Sequence, residues 1–334
     1  MIPPFLMRYG SSDAIAPAVP TGLTVLSRDT PTQLTLDWNN NTDGDFKNYR
    51  VYRDAVLYAS PTTSTQVVTG LTQNTSYAFT VSAVDFKGNE SAVSSAVNSK
   101  AWTPYVDLDN QYLILDTVSG HYTTDTGGVD AWLDQTVSDF DCVQTSSANR
   151  PGVVSDGGYD AVQFVGANGD RLRFTGKGAS MFATPTTAFS VSVFMKFSTT
   201  TGTPRIFEWG ETAGASKIIV LQTGGSLHLY TSGDGTALVT RSFTMGTPTA
   251  WHHYMFTYSA GTIVAYQDGV SQSLVGGGTV PVSLYTGGSQ DPQLSAIPGS
   301  GTEPYNGFMD NLVMTSDVFT STERTNLGLW RPHA

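Results

Sequence analysis

At 334 residues, the chain is long enough for about two domains of ordinary size. Only 13% of its residues are charged, and its 34 glycines and 16 prolines indicate many turns and few long surface helices. The net charge of −11 excludes a phosphate-neutralising surface, so nucleic acid is excluded as a partner. No run approaches the roughly 20 apolar residues needed for membrane insertion.

The single cysteine, Cys142, limits the chemistry further. One cysteine cannot form an intrachain disulfide, and it cannot build a zinc site from thiolates. We therefore predict that Cys142 is a small buried residue and not a reactive thiol.

Short alternating strands begin after Pro17. Leu34, Leu36 and Trp38 recur at period two, which places them on one face of a strand. Strands separated by turns at this spacing predict an antiparallel β-sandwich. The predicted strands cover residues 23–26, 34–38, 46–53, 65–68 and 77–84.

Motifs within these strands carry a family resemblance. They are Pro20-x-x-Leu23, Trp38, Tyr49-Arg50-Val51-Tyr52 and the segment from Gly70 to Tyr77. Residues 17–101 thereby resemble a fibronectin type III domain. The resemblance implies that Trp38, Tyr49 and Tyr77 are core residues, with the Tyr77 hydroxyl bonded back to the backbone in a tyrosine corner. No Arg-Gly-Asp tripeptide is present, so integrin binding has no support. We therefore interpret this domain as a spacer.

A second domain is predicted after a short joint at residues 100–104, where a proline interrupts strand pairing. Strict alternation recurs at 189–197, 226–230 and 251–258, and Asp268-Gly269 marks a hairpin turn. One short helix is predicted at 321–327, with Ser321 as its cap. This length of strand-rich chain favours a two-sheet jelly roll, so the predicted fold class is all-β.

The second domain also carries recognisable segments. They are Trp251-His252-His253-Tyr254, Tyr266-x-Asp268-Gly269, the closing stretch 305–312 and an opening stretch within 129–164. Residues 105–334 resemble the laminin G-like branch of the concanavalin A-like lectin/glucanase superfamily. The resemblance implies that Trp251 is a structural core residue. It leaves function open, because this sandwich hosts lectins, glucanases, protein binders and passive modules.

No residue pair is suited to glycoside hydrolysis. A glucanase of this superfamily would place two glutamates and an aspartate on one strand, with carboxyl groups about 5–5.5 Å apart for retention. Glu208 and Glu211 are the only close pair, and their odd spacing puts them on opposite strand faces. His252 and His253 likewise face opposite ways and cannot chelate one ion together. We therefore predict a protein that is not an enzyme.

The resemblance implies calcium as a candidate cofactor, because many relatives bind this ion. The ion needs about 6–8 oxygen ligands, which loop carboxylates and carbonyls supply. The candidates are Asp170, Asp268 and Asp310, but they form no compact run in the sequence.

Glycan binding would use exposed rings for stacking, with amides and carboxylates for hydroxyl groups. Loops carry function when sheets fix their positions, so Tyr285, Asp291 and Tyr305 are the first candidates, with Trp209 next. His228 and Tyr230 lie on a strand in the middle of the domain. The alternative, that such rings fill the sandwich, stays open for each of them.

The N-terminal stretch is apolar but has no recognisable signal peptide. We interpret residues 1–16 as an arm that anchors the protein to a particle. Extracellular-style modules without an export signal or disulfides suit a tailed-phage virion, whose proteins are made in the host cytoplasm and released by lysis. The predicted function is a non-enzymatic fibre or spike-like adhesin, a homo-oligomer (a trimer is favoured), that attaches to host-surface polysaccharide.

Two alternatives accompany this hypothesis. One is a capsid or tail decoration protein whose outer domain has no specific ligand. The other is a bacterial surface adhesin or carbohydrate-binding module.

Overall fold

The computed structural model describes most of the chain between residues 13 and 329. The described ranges are 13–30, 32–72, 75–101, 108, 111–117, 120–136, 138–156, 159–177, 187–209, 218–287, 290–297 and 303–329. Most of the predicted N-terminal arm therefore lies outside the described residues. The chain divides into two compact units, Met1–Trp102 and Thr103–Ala334, and this division falls inside the predicted joint. No helix of the described part has the length and apolarity needed to cross a lipid bilayer.

The first unit is a sandwich of two antiparallel sheets. One sheet has the strand order β1-β2-β5 and the other β4-β3-β6-β7. Every predicted strand is present, and two short edge strands, β4 and β7, are added. The strands are β1 (Thr24–Thr30), β2 (Gln33–Asp37), β3 (Phe46–Arg53), β4 (Val56–Ala59), β5 (Thr65–Val68), β6 (Tyr77–Asp85) and β7 (Val97–Ser99).

The predicted core residues of this unit are where the alternation placed them. Trp38 and Tyr49 are buried, and their rings meet edge to face with centroids 5.2 Å apart. Tyr77 is half-buried against the same core, and its hydroxyl accepts a hydrogen bond from the Thr72 amide at 3.0 Å. The tyrosine corner is therefore confirmed.

The second unit contains two larger sheets. Its strands are β8 (Gln111–Leu115), β9 (Tyr122–Asp125), β10 (Gly128–Trp132), β11 (Cys142–Val143), β12 (Gly152–Asp156), β13 (Tyr159–Phe164), β14 (Leu172–Arg173), β15 (Ala188–Phe197), β16 (Arg205–Trp209), β17 (Ile218–Thr223), β18 (Ser226–Thr231), β19 (Val239–Thr244), β20 (His252–Ser259), β21 (Thr262–Gln267), β22 (Val270–Gln272), β23 (Gln293–Leu294) and β24 (Gly307–Thr315). Two short 3₁₀ turns, Ser147–Asn149 and Gly166–Asn168, punctuate the loops.

The nine-stranded sheet has the order β19-β18-β17-β16-β23-β14-β11-β10-β9. The eight-stranded sheet has the order β12-β13-β24-β15-β20-β21-β22, with β8 also paired to β24. Asp268 and Gly269 both have positive φ in the two-residue turn between β21 and β22, as a type I′ hairpin requires. The all-β fold class is confirmed, with 6% helix and 46% strand.

Apolar side chains from both sheets form one core. Cys142 is fully buried in it, as predicted, and burial raises the pKa of its thiol well above the usual range. Trp251 does not belong to this core, which corrects the sequence prediction. It is half-buried at the start of β20, with its ring stacked on Phe194 at 4.8 Å and its indole nitrogen donating to Asp156 at 2.8 Å.

The predicted short helix is α1, Ser321–Leu329. Its cap is Thr320 and not Ser321. The Thr320 hydroxyl accepts from the Glu323 amide at 3.2 Å, and the Glu323 carboxylate accepts from the Thr320 amide at 2.6 Å. This reciprocal pair is a capping box, which satisfies two backbone donors that the helix itself leaves unpaired.

Candidate functional site

The candidate site lies on the outer face of the nine-stranded sheet, the face turned away from the core. Alternation defines this face on each strand. On β14, Leu172 and Phe174 point into the core, so Arg173 points outward. On β16, Phe207 and Trp209 belong to the core, so Glu208 between them points outward.

Polar side chains form a row across this outer face. Arg173 lies opposite Gln293, and Gln293 lies opposite Glu208. Glu208 is in register with Tyr230 across the backbone of β17, whose position 219 pairs with both. Directly opposed residues project to the same face, and neighbouring strands lie about 4.8 Å apart, so the row spans about 19 Å. The middle of this row is closed to solvent, because Gln293 and Glu208 are only 0% and 3% exposed, whereas Arg173 and Tyr230 at its two ends are accessible.

A pair of rings lies at one end of the row. His228 and Tyr230 project from β18 as a stacked pair, with ring centroids 6.1 Å apart and an angle of 22° between the ring planes. Both side chains are half-buried. Burial lowers the pKa of His228, so near neutral pH its imidazole is uncharged and offers one donor and one acceptor. The pair forms an apolar platform with hydrogen-bonding atoms at its edge.

Charged and amide groups occupy the middle of the row. The Glu208 carboxylate is buried and lies 3.7 Å from the Arg205 guanidinium, which donates to Glu303 at 2.9 Å. The Gln293 amide is fully buried, and neither its nitrogen nor its oxygen has a hydrogen-bond partner in the described part of the chain. Buried amides without partners are rare in folded proteins, and the unpaired donor and acceptor of Gln293 raise the free energy of the folded chain.

A polar hollow of about 240 Å³ lies at the other end of the row. One side of the hollow is formed by β14 and the residues on either side of it, where Arg171, Arg173 and Thr175 occupy alternate positions. The neighbouring strand β11 contributes Val143, and Thr145 follows two positions later. The hollow thus opens on the same outer face. It continues the row beyond Gln293.

Two of the predicted glycan-binding rings, Trp209 and Tyr305, are buried and not exposed, so these predictions are wrong. Trp209 is fully buried, because its neighbour Glu208 takes the outward position on β16. Tyr305 is also fully buried, and its hydroxyl donates to the Lys196 carbonyl at 2.6 Å. Burial raises the pKa of the Tyr305 hydroxyl well above its usual range. Neither ring can stack on a ligand.

The other two candidates lie at the rim of the sheet. Tyr285 is half-buried, with its ring against Gly235 in the loop after β18. Asp291, just before β23, accepts a hydrogen bond from the Lys177 amide at 3.1 Å. Both flank the outer face without joining its row, and their role in binding stays a prediction.

The three acids predicted to hold calcium do not come together. Asp170 is buried before β14 and accepts from the Val165 amide at 2.8 Å, and burial raises its pKa. Asp268 sits in the β21–β22 turn with its carboxylate bonded to His252 at 2.5 Å. Asp310 is buried in β24. Separate elements hold each acid, so the predicted set is not a metal site.

Within the described ranges, one group of three acids could hold an ion, and it lies in the first unit. Asp13, Asp45 and Asp85 place carboxylate oxygens within 4.8 Å of one another. Asp85 is nevertheless saturated by protein donors, since the Lys87 and Asn89 amides each donate to it at 2.8 Å. The chemistry of this group is that of a hydrogen-bonded turn.

The structure also places the residues considered for catalysis. Glu208 lies on the outer face of the sheet, and Glu211 lies outside the described residues. His252 and His253 have separate partners, as their opposite directions require. His252 pairs with Asp268 in the turn, while His253 is buried with its Nε2 2.6 Å from the Ser192 hydroxyl.

Sequence comparison with protein families assigns both units. A family model described as the concanavalin A-like lectin/glucanases superfamily matches residues 156–323, half of the chain. The chain belongs to this superfamily. A fibronectin type III model matches residues 18–99, so the order of the two domains predicted from the sequence is confirmed.

Curated relatives of this concanavalin A-like protein match its fibronectin type III part. The chain is 49% identical over 87 residues to chitinase Chi52 of Paenibacillus xylanexedens, covering 26% of this chain and 16% of the relative. It is 43% identical over 95 residues to exoglucanase B of Cellulomonas fimi, covering 28% and 9%. A poly(3-hydroxybutyrate) depolymerase of Ralstonia pickettii is 32% identical over 126 residues, covering 37% and 25%. The matches therefore span a quarter or less of these relatives.

Solved structures show more distant likenesses. Domain 4 of AbnA, an extracellular arabinanase from Geobacillus stearothermophilus in complex with arabinotriose, has a TM-score of 0.37 at 17% identity, covering 53% of this chain and 81% of that one. The binding domain of Paraclostridial Mosquitocidal Protein 1 has a TM-score of 0.47 at 8% identity, covering 66% and 52%. At these TM-scores no inference about ligands follows.

Proposed function

We propose that this chain is a non-catalytic bacterial carbohydrate-binding protein, either a carbohydrate-binding module or a surface adhesin, that acts outside the cell. The observation that carries the proposal is the outer face of the nine-stranded sheet. There the His228–Tyr230 ring pair lies in line with Glu208, Gln293 and Arg173. The fibronectin type III unit serves as the spacer.

The chemistry of this face suits a sugar chain. Pyranose rings have apolar faces that stack on aromatic side chains, and their equatorial hydroxyls need donors and acceptors. Tyr230 and His228 supply the apolar surface at one end of the face, while Arg173 supplies an exposed guanidinium group at the other end. Because rigid strands hold the backbone of these groups, little conformational entropy of the protein backbone is lost when a ligand binds.

The relatives support a bacterial setting. Those named above are bacterial enzymes that act on polymers, two of them named for chitin or glucan. The depolymerase matches the same part of the chain but is named for a polymer that is not a polysaccharide. We infer that the fibronectin type III unit is typical of bacterial enzymes acting on polymers and does not determine which polymer is bound. The virion role expected from the sequence has no support among these relatives, so the bacterial alternative is preferred. The anchoring arm and the trimer stay predictions.

The first test replaces Tyr230 with alanine in the full chain. Burying an aromatic side chain is worth about 1.5–3 kcal/mol, so we expect polysaccharide binding to weaken roughly 10- to 100-fold. Pull-down on chitin and cellulose together with a glycan array measures the change, and circular dichroism checks the fold.

Tyr266 provides the matched control, because it is a half-buried tyrosine on the eight-stranded sheet with Arg324 over its ring. Tyr266→Ala should leave binding unchanged. Equal loss in both variants, or a folded wild type that binds no polysaccharide, would reject the proposed site.

The second test concerns catalysis. The Glu208 carboxylate lies 3.7 Å from the Arg205 guanidinium, which also pairs with Glu303, so its charge is held in an ion pair. We expect no reducing sugar to be released from chitin, cellulose or arabinan, and Glu208→Gln should not alter that result. Turnover in the wild type that disappears in Glu208→Gln would establish a hydrolase.

A further inference from the structure

The hollow at the end of the polar row contains two arginines whose charges have no acidic partner. Arg171 donates to the Gly169 carbonyl at 3.0 Å, and Arg173 is exposed. Neither forms an ion pair with a carboxylate within the described ranges. Both arginines line the same hollow, Arg173 on β14 and Arg171 two positions earlier, just before the strand.

The local charge of this pair is opposite in sign to the net charge of the chain. The protein has 28 acidic against 17 basic residues, so an arginine has many carboxylates available to it. Arg50, Arg150 and Arg205 each pair with one. Two neighbouring arginines left without acidic partners therefore leave a local positive charge on an otherwise acidic protein, at the end of the proposed sugar-binding row.

We propose that the hollow binds the carboxylate of an acidic polysaccharide, so that the site is specific for uronic acid-containing chains; this inference rests on the proposed function. A carboxylate spreads one negative charge over two coplanar oxygens, which matches the planar donor fork of arginine. Thr145, Ser146 and Thr175 line the same hollow and supply hydroxyls for the sugar.

Neighbouring groups explain why the pair is held ready for a ligand. The Gln144 side chain donates to the Arg171 carbonyl at 3.3 Å, which ties the β11 edge to the start of β14. Leu172 between the two arginines is anchored in the core. The guanidinium groups thus project from fixed backbone, so a carboxylate would gain charge-assisted hydrogen bonds at little ordering cost.

The test compares polygalacturonate with a neutral glucan by affinity electrophoresis of the full chain. We expect the wild type to prefer polygalacturonate, with binding that weakens as salt increases. Arg173→Gln should weaken polygalacturonate binding about 10-fold or more, and the Arg171→Gln/Arg173→Gln pair should remove the preference. Arg53→Gln is the control, because it removes the same charge from the first unit, where Arg53 lies over the Tyr77 ring.

The outcomes separate this inference from the proposed function. If Tyr230→Ala loses binding while both arginine variants bind like the wild type, the acidic specificity is wrong and the sugar-binding face stands. A wild-type preference for neutral glucan, or for heparin over polygalacturonate, also overturns the uronate assignment. If no polysaccharide binds, both proposals fail together.

Discussion

Replacing Trp209 with alanine is expected to destabilise the second unit by about 3–5 kcal/mol. The indole is fully buried on β16, next to Phe207, whose ring centroid lies 6.2 Å away. Truncation would leave a cavity between the two sheets, which the surrounding core cannot close completely. Guanidinium denaturation followed by circular dichroism measures the loss as a lower midpoint for the second unit's transition.

Trp251 is the matched control, since it is the half-buried tryptophan that stacks on Phe194 outside the core. Trp251→Ala should cost less, about 1–2 kcal/mol, because less of its surface is removed from water. Suppose instead that Trp209→Ala kept the wild-type midpoint and lost polysaccharide binding. The ring would then be a ligand contact, as the sequence analysis expected, and its burial would be refuted.

The strands of this protein could be predicted where alternation is long. Segments such as β3, β6, β15 and β20 have 8–10 residues, enough for period two to be evident. The first unit's edge strands β4 and β7 were missed, since three or four residues carry no clear period. The cap of α1 was missed by one position, because Thr320 and Ser321 are both good capping residues and only the bond to Glu323 distinguishes them.

The candidate site was harder to predict, because it depends on register between distant segments. Tyr230 and His228 could be recognised as rings on a strand, but their direction relative to the core could not. Gln293 lies on β23, a strand of two residues, and it meets Glu208 and Arg173 from segments about 85 and 120 positions away in the chain. No local pattern records such a contact.

The same limit explains the misplaced rings. Trp209 and Tyr305 are large amphipathic residues beside glycine-rich loops, which favours a surface position when only sequence is available. Trp209 is buried because it shares with Phe207 the side of β16 that faces the core. For Tyr305 two carbonyls, those of Lys196 and Phe308, accept from its hydroxyl inside the fold. A hydrogen-bonded phenol can be buried at little cost, and composition does not reveal its acceptors.

The pH dependence of stability is expected to be dominated in the second unit by Asp310. Burial raises the pKa of this carboxyl to about 8, and the nearby charge of Asp116 adds to the effect. The unfolded chain releases that proton near pH 3.8, the ordinary value, while the folded chain keeps it. Stability therefore falls as the pH rises from about 4 to about 8, by several kcal/mol, since one pKa unit corresponds to about 1.4 kcal/mol.

Asp310→Asn isolates this effect. The amide oxygen can still accept the Thr117 amide and hydroxyl, which both lie 3.0 Å from the Asp310 carboxylate, but it cannot ionise. Near pH 3.5 the two proteins should melt at similar temperatures, because the wild-type carboxyl is then largely protonated in both the folded and the unfolded chain. Near pH 8 the variant should melt at the higher temperature and show the flatter pH profile. A wild type that is more stable than the variant near pH 8, particularly one stabilised by added calcium, would mean that Asp310 is ionised and holds a cation, contrary to this account.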